Sequence, residues 1–374
     1  MADPEALWSR AQRTGGPIVS PRAADGTVEV TFLWRGEAAA TRVGWGVWLE
    51  LDRVPGTDLW HGSVRLPAAG RTLYYLAHEA ADGLPRDDSG RGPAHLDPLN
   101  PRPFRFPADP GDPTDRDCWA SLLDLPDAAE QTWSTPRREV PIEEHTLPGG
   151  RRIAVYRPPG DPPAGGPATL VVFDGWLARA VLRVQHTVDN LIAAGLIPPT
   201  LVLFVPNRDA DREHDLTPAS AATTDFVTRE LLPWARRELG AGADPARTVV
   251  AGQSLGGLMA AHVALHAPEV FGAVIAQSGS YWWPKPEHGE PGRLLRDYAE
   301  RPRAELRFYL DVGDRETRSD PDGAPHMLAL NRQMRDVLLA KGYPVTYAEY
   351  HGAHDYVNWR DTFADGLLAV LRPG

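Results

Sequence analysis

The fold of this chain is decided by one stretch, Thr248-Val249-Val250-Ala251-Gly252-Gln253-Ser254-Leu255-Gly256-Gly257-Leu258. A short β-branched run leads into a G-x-S-x-G motif, and an apolar helical segment follows. This is the context of a nucleophile elbow, in which a serine sits on a strained turn and small flanking residues let strand and helix approach closely. The stretch predicts that Ser254 is a catalytic nucleophile and that the Leu255 N–H donates to an oxyanion. A plain Gly-Ser turn is the alternative interpretation.

The residues around this motif alternate between strand and helix patterns. Continuous apolar runs predict buried parallel strands, and segments with helical spacing lie between them. We predict that residues 139–374 form an α/β-hydrolase catalytic domain with a doubly wound, mostly parallel sheet. The predicted strands are 153–156, 169–173, 201–205, 248–251, 273–276 and 308–310, and the predicted helices are 225–239, 258–266, 327–341 and 362–371.

Residues 1–107 instead have a β-rich pattern. The runs 28–34, 44–51 and 73–76 are rich in β-formers, and clusters of Gly, Pro and Asp separate them. Short strands with regular turn signals predict an N-terminal β-sandwich. Residues 108–138 are rich in Pro and Asp, which predicts a linker on the surface between the two domains.

The composition narrows the class of protein. The chain has 374 residues, 42% hydrophobic and 24% charged, which is typical of a folded protein of two domains. A net charge of −11 argues against nucleic acid or an anionic membrane as partner, and no apolar run is long enough to span a membrane. Cys118 is the single cysteine and residues 1–16 lack a secretory h-region, so we expect a cytoplasmic protein. The sequence predicts no particular oligomeric state.

A serine hydroxyl needs a base, and in this fold the triad runs in the order Ser, acid, His. The predicted base is His354, which lies between small residues and a helical segment near the C-terminus. His351 is the competing candidate. The two histidines lack a carboxylate or cysteine partner that would complete a metal site, so we predict no metal centre.

The predicted acid follows the strand 308–310. The candidates are Asp311, Asp314 and Glu316, of which Asp311 is expected to lie still inside the strand end. The acid would hold the histidine tautomer and stabilise the imidazolium. A solvated loop charge is the alternative for each.

Two further loops follow predicted strands and therefore reach the carboxyl edge of the sheet, where ligands bind in such folds. In Asp174-Gly175-Trp176, the Trp176 N–H is the candidate second oxyanion donor, although Gly175 could simply make a tight turn. In the segment 207–216, Arg208 and Arg212 are candidates to receive an anionic substrate, or else they pair with nearby aspartates.

Aromatic side chains cluster in the same half of the chain. They follow a predicted strand and the histidine segment, so we predict that they line a pocket for aromatic groups rather than the core. The residues are Tyr281, Trp282, Trp283 and Trp359.

Several stretches resemble the enterochelin (ferric enterobactin) esterases, within the esterase D-like α/β-hydrolases. The most specific is Gln277-Ser278-Gly279-Ser280-Tyr281-Trp282-Trp283-Pro284, which comes after the elbow. Similar stretches over nearly the whole chain are 352–360, 229–233, 30–35 and 97–101.

The resemblance implies an immunoglobulin-like N-terminal domain and an enzyme that hydrolyses trilactone catecholate siderophores such as enterobactin, so that iron is released in the cytoplasm. By position it assigns Ser254 as nucleophile, His354 as base, Glu316 as acid and Arg212 as a ligand of the anionic substrate. Iron would be part of the substrate, and no cofactor is expected. The alternatives are a general or feruloyl-type carboxylesterase and a non-catalytic siderophore- or glycan-binding protein.

Overall fold

The computed structural model describes residues 3–79, 94–207, 212–219, 221–318 and 326–372. It divides the chain into two compact units. The first comprises Met1–Ala108, Asp115–Glu130 and His351–Asn358, and the second comprises Asp109–Thr114, Gln131–Tyr350 and Trp359–Gly374. Within the described ranges, no helix combines the length and the apolar character needed to cross a membrane.

The first unit is built from antiparallel strands after a short N-terminal helix. Their order is β1-β2-β5-β4-β3-β6-β9-β8, with β7 also paired to β6. Buried side chains of β2 and β6 meet in a shared core, where the rings of Phe32 and Tyr74 lie 5.1 Å apart, edge to face. The elements are α1 (Pro4–Thr14), β1 (Ile18–Val19), β2 (Thr27–Arg35), β3 (Ala40–Trp45), β4 (Leu49–Arg53), β5 (Leu59–Pro67), β6 (Arg71–Glu79), β7 (Ala94–His95), β8 (Pro103–Phe106) and β9 (Cys118–Asp124).

Two predictions for this part of the chain need correction. The predicted strand 44–51 is two strands, β3 and β4. Trp45, the last residue of β3, and Trp48, the residue before β4, both have positive φ. The predicted linker 108–138 contains β9, which pairs with β6 and β8 inside the sheet. Proline and aspartate on both sides of the short apolar run hid this strand, because turn signals dominate a window of that composition.

The second unit is a sheet in the order β10-β11-β13-β12-β14-β15-β16-β17. The pairs β10–β11 and β11–β13 are antiparallel, and all later pairs are parallel. The strands are β10 (Glu143–Thr146), β11 (Arg152–Tyr156), β12 (Ala168–Val172), β13 (Thr200–Phe204), β14 (Thr248–Gln253), β15 (Ala273–Gln277), β16 (Arg307–Gly313) and β17 (Val345–Tyr350).

Helices connect these strands, as parallel pairing requires. They are α2 (Gly175–Ala180), α3 (Val184–Ala193), α4 (Arg212–Leu216), α5 (Ala222–Asp225), a π-helical segment (Phe226–Leu231), α6 (Leu232–Leu239), α7 (Leu255–His266), α8 (Arg293–Glu300), α9 (Met327–Ala340) and α10 (Tyr356–Leu371). The predicted α/β architecture is thus confirmed. Gly240 ends α6 with a φ of 69°, the left-handed cap that its position predicts.

Candidate active site

Ser254 lies on the turn between β14 and α7. Its φ of 56° and ψ of −119° are a conformation that an L-residue adopts only under strain. The backbone is tied on both sides: the Ser254 N–H donates to the Gln277 carbonyl at 2.9 Å, and its own carbonyl accepts from Leu258 and Ser280. These bonds to neighbouring elements hold the strained turn that the sequence predicts.

The glycines around Ser254 differ in how strictly they are required. A Cβ on Gly252 would lie 2.3 Å from the Gly256 carbonyl carbon, so strand and helix meet there without room for a side chain. A Cβ on Gly257 would lie 3.2 Å from the Gly252 oxygen. On Gly256 the nearest atom would be 3.5 Å away, an ordinary contact. The close approach therefore depends on Gly252 and Gly257, whereas the position of Gly256 has room for a methyl group.

The parallel strands all end at one edge of the sheet, and polar residues follow them there. Asp174 comes after β12, Ser254 after β14, Ser278 after β15 and Glu316 after β16, while Tyr350 ends β17. The Ser254 hydroxyl lies 3.2 Å from the Ser280 hydroxyl. This edge is where open α/β folds bind ligands.

Glu316 is buried at this edge, and three donors hold its Oε1 atom. They are the Ser278 hydroxyl at 2.6 Å, the Gly313 N–H at 2.8 Å and the Tyr350 hydroxyl at 3.2 Å. The Trp359 indole N–H in turn donates to the Ser278 oxygen at 2.9 Å. These three hydrogen bonds fix the orientation of the Glu316 carboxyl group. Sequence reasoning assigned no role to Ser278 or Tyr350. Ser278 lies in the family-like stretch 277–284, but no local pattern indicates that either hydroxyl donates to Glu316.

The other two acid candidates have different surroundings. Asp311 lies inside β16, as predicted, and its Oδ2 accepts hydrogen bonds from Thr362, Gln277 and Tyr309. Burial raises the pKa of the Asp311 carboxyl from 3.8 to about 7. Asp314 is half-buried, and its N–H donates to the Tyr350 carbonyl.

The turn after β12 carries the candidate second oxyanion donor. Asp174 has a φ of 52°, and the Gly175 N–H donates to the Val205 carbonyl at 2.9 Å. A Cβ on Gly175 would meet backbone atoms of β13 and its neighbour at 2.8 Å, so this glycine makes a tight turn and its amide is engaged. That Gly175 also contacts substrate stays a prediction. Trp176 is the second residue of α2, where amide N–H groups point out of the helix start.

Arg212 is bound to Asp174 by a charge-assisted fork. Its Nε and Nη2 atoms donate to both carboxylate oxygens at 2.7–3.0 Å, and Asn207 adds a bond at 2.8 Å. Arg212 therefore fixes the turn that leads to Trp176, and its role in receiving an anionic substrate stays a prediction. Arg208 lies outside the described residues.

The aromatic residues divide into two groups. Tyr281 and Trp359 are 0% and 2% exposed, so their side chains belong to the interior, and the prediction that they line a pocket is corrected. Burial also raises the pKa of the Tyr281 phenol. Trp282 and Trp283 are half-buried at the margin of the core. Trp359 lies inside α10, which begins at Tyr356 and not at residue 362 as predicted, and this explains why its side chain is buried.

His354 and His351 lie in the segment that belongs to the first unit, whereas Ser254 lies in the second. The pairing of Ser254 with His354 stays a prediction. Among the described residues there is no group of three or more His, Cys, Asp or Glu side chains that could hold a metal ion.

Comparison with known proteins gives concordant matches. Residues 145–370 match the Esterase family model, and residues 29–134 match the model described as enterochelin esterase, N-terminal. The chain is 31% identical to an iron(III) enterobactin esterase of Dickeya dadantii (strain 3937), over 99% of this chain and 93% of the relative. It is 29% identical to an iron(III) salmochelin esterase of Escherichia coli O6:H1, over 96% and 92%. The crystal structure of a Shigella flexneri enterobactin esterase in the presence of enterobactin is similar with a TM-score of 0.75, 26% identity and 97% coverage of both chains.

Proposed function

Because this chain belongs to the enterochelin esterase family and is a carboxylic ester hydrolase, we propose that it cleaves the ester bonds of catecholate trilactone siderophores with Ser254 as nucleophile. The observation that carries the proposal is the strained, glycine-flanked Ser254 turn at the carboxyl edge of a parallel sheet. Relatives named for enterobactin and salmochelin supply the substrate class.

His354 is the proposed base. The segment that carries it leaves the sheet at Tyr350 and rejoins the second unit at Trp359. Both residues lie beside the Ser278–Glu316 pair, since the Tyr350 hydroxyl contacts Glu316 and the Trp359 indole contacts Ser278. The order of these residues in the chain and the contacts of Tyr350 and Trp359 support His354 as the partner of Ser254.

Glu316 is the proposed acid of the triad. It is buried after β16, and its Oε1 atom is fixed by three donors, so its carboxylate is preorganised to orient an imidazole. Asp311 is less suitable because its carboxylate is part of the internal network of β16, and its raised pKa disfavours the charge that an imidazolium needs.

The mechanism follows from these assignments. His354 takes the Ser254 hydroxyl proton, and the oxygen attacks the ester carbonyl carbon. The Leu255 and Trp176 N–H groups stabilise the oxyanion of the tetrahedral intermediate. When the ester C–O bond breaks, the leaving alkoxide takes the proton from His354. Water activated by His354 then cleaves the acyl-enzyme. The protein's own side chains carry every step, so no cofactor is needed and iron enters with the substrate.

Two finer features belong to the same proposal. The shared core of the antiparallel strands in the first unit supports an immunoglobulin-like sandwich. A single cysteine, Cys118, fits a reducing compartment, which supports release of iron in the cytoplasm.

The test compares Ser254→Ala with Ser280→Ala, a neighbouring hydroxyl 3.2 Å away. A fluorophosphonate should label the wild type and Ser280→Ala at residue 254 and leave Ser254→Ala unlabelled. Ferric and iron-free trilactone should be hydrolysed to linear products seen by mass spectrometry, with a higher kcat/KM than feruloyl or acetyl esters. Near wild-type trilactone cleavage by Ser254→Ala would end the proposal. A higher kcat/KM on feruloyl esters would indicate a general carboxylesterase, and binding without turnover would indicate a binding protein.

A further inference from the structure

The segment His351–Asn358 is separated by more than two hundred residues from the strands with which it forms the first unit. Backbone and carboxylate atoms of His354 and Asp355 bind to other residues of that unit. Resting on the proposed function, we infer that Trp45 and Thr72 of the β-rich unit are positioning residues that hold the catalytic histidine in place.

Asp355 is the first point of attachment. Its side chain is fully buried, and its Oδ2 atom accepts from the Thr72 hydroxyl at 2.6 Å and from the Leu73 N–H at 3.1 Å. Its Oδ1 atom accepts from the backbone N–H groups of Val357 and Asn358, both at 3.2 Å. The carboxylate thus caps the start of α10 and fixes that start to β6. Asp355, the residue directly after His354, is therefore held at one position on β6.

Trp45 is the second point of attachment. Its indole N–H donates to the backbone carbonyl of His354 at 3.0 Å. The Trp45 ring stacks on Phe106, and Phe106 meets the Tyr356 ring edge to face at 5.3 Å. Hydrogen bonds on residues 354 and 355 fix the peptide on which the imidazole is carried.

The backbone at Trp45 is in a strained conformation. Trp45 has a φ of 73°, an outlier for a bulky side chain that persists only where the surroundings impose it. A Cβ on the next residue, Gly46, would lie 1.8 Å from the Thr72 hydroxyl oxygen. A side chain at position 46 would therefore occupy the space of the Thr72 hydroxyl, which donates to Asp355. Strain at one attachment point and an obligatory glycine beside the other are typical of a functional site.

The tests are Thr72→Val and Trp45→Phe, each of which removes one donor and keeps most of the shape. Thr41→Val is the matched control, because Thr41 is equally buried on β3 and its hydroxyl contacts His78 instead of the histidine segment. The readouts are the rate of Ser254 labelling by a fluorophosphonate across pH, and kcat and KM on the trilactone.

We expect labelling and kcat to fall about tenfold or more in both variants with little change in KM, the size expected for losing one hydrogen bond to a charged or preorganised group. Thr72→Ser should restore both rates, and Thr41→Val should label at the wild-type rate. If Thr72→Val and Trp45→Phe label as fast as Thr41→Val, the inference is wrong. If Thr72→Val does not fold, Trp45→Phe alone decides.

The outcome can be separated from that of the proposed function. Absence of labelling in the wild type, or wild-type labelling in His354→Ala, contradicts the proposed triad itself. Loss of labelling in His354→Ala together with unaffected Thr72→Val and Trp45→Phe contradicts only the positioning role.

Discussion

Gly252→Ala tests whether the elbow depends on contact between strand and helix backbones. The added Cβ would lie 2.3 Å from the Gly256 carbonyl carbon and 2.4 Å from its oxygen, against an ordinary contact of at least 3.4 Å. The start of α7 must therefore move by about 1 Å, which carries Ser254 and the Leu255 N–H with it. A displacement of that size costs on the order of 10²-fold in rate. We expect kcat/KM and fluorophosphonate labelling to fall by about that factor.

Gly256→Ala is the matched control in the same motif. Its Cβ would meet its nearest neighbour at 3.5 Å, so the elbow should keep its shape and kcat/KM should stay within an order of magnitude. Because alanine is favoured over glycine in a helix by roughly 0.5–1 kcal/mol, the unfolding free energy should be unchanged or slightly higher. Urea unfolding and steady-state kinetics on both variants measure this contrast. Equal activities in the two variants would refute the steric reasoning.

Three further predictions concern the charged groups at the sheet edge. Arg212→Met leaves the buried Asp174 carboxylate without its guanidinium partner, so we expect a lower kcat and about 3 kcal/mol less stability in thermal unfolding. This value is at the low end for a broken buried ion pair because Arg212 is 33% exposed. An unchanged Tm would contradict the prediction. Glu316→Gln should lower kcat by about two to four orders of magnitude while Asp314→Asn stays near wild type, and the reverse ranking would reassign the acid. Burial raises the pKa of Asp311 from 3.8 to about 7, so the folded chain holds a proton that the unfolded chain releases, and this stability is lost as the pH rises through that window. Asp311→Asn should flatten the pH dependence of urea unfolding there, and a slope equal to wild type would show that another group is responsible.

Much of the fold follows from local sequence, because buried parallel strands need continuous apolar runs. The strands β12, β13, β14 and β15 lie where such runs predict them, within one or two residues. The β-rich unit was less predictable. Strands β3 and β4 are separated where Trp45 and Trp48 have positive φ, and tryptophan is a residue that normally indicates a strand. Strand β9 is a short apolar run between residues that favour turns.

The candidate site divides in the same way. A motif with a local steric reason, such as the Ser254 turn, could be predicted from the sequence. The partners of Glu316 and the pairing of Arg212 with Asp174 could not, because they depend on which loops the sheet order brings together. Nor does any local pattern indicate that Thr72 binds Asp355, since the two are 283 positions apart.

The discontinuity of the first unit also bears on the order in which the chain gains its structure during synthesis. The strands β1 to β9 leave the ribosome early, yet the Thr72 hydroxyl and the Trp45 indole acquire their partners only after residue 355 has been made. Domains generally fold as units from the N-terminus onward, so these donors lack the acceptors on residues 354 and 355 while the parallel sheet is translated. If the histidine acts as proposed, the nascent enzyme stays inactive until the segment that carries His354 has been made and has bound to the strands of the first unit.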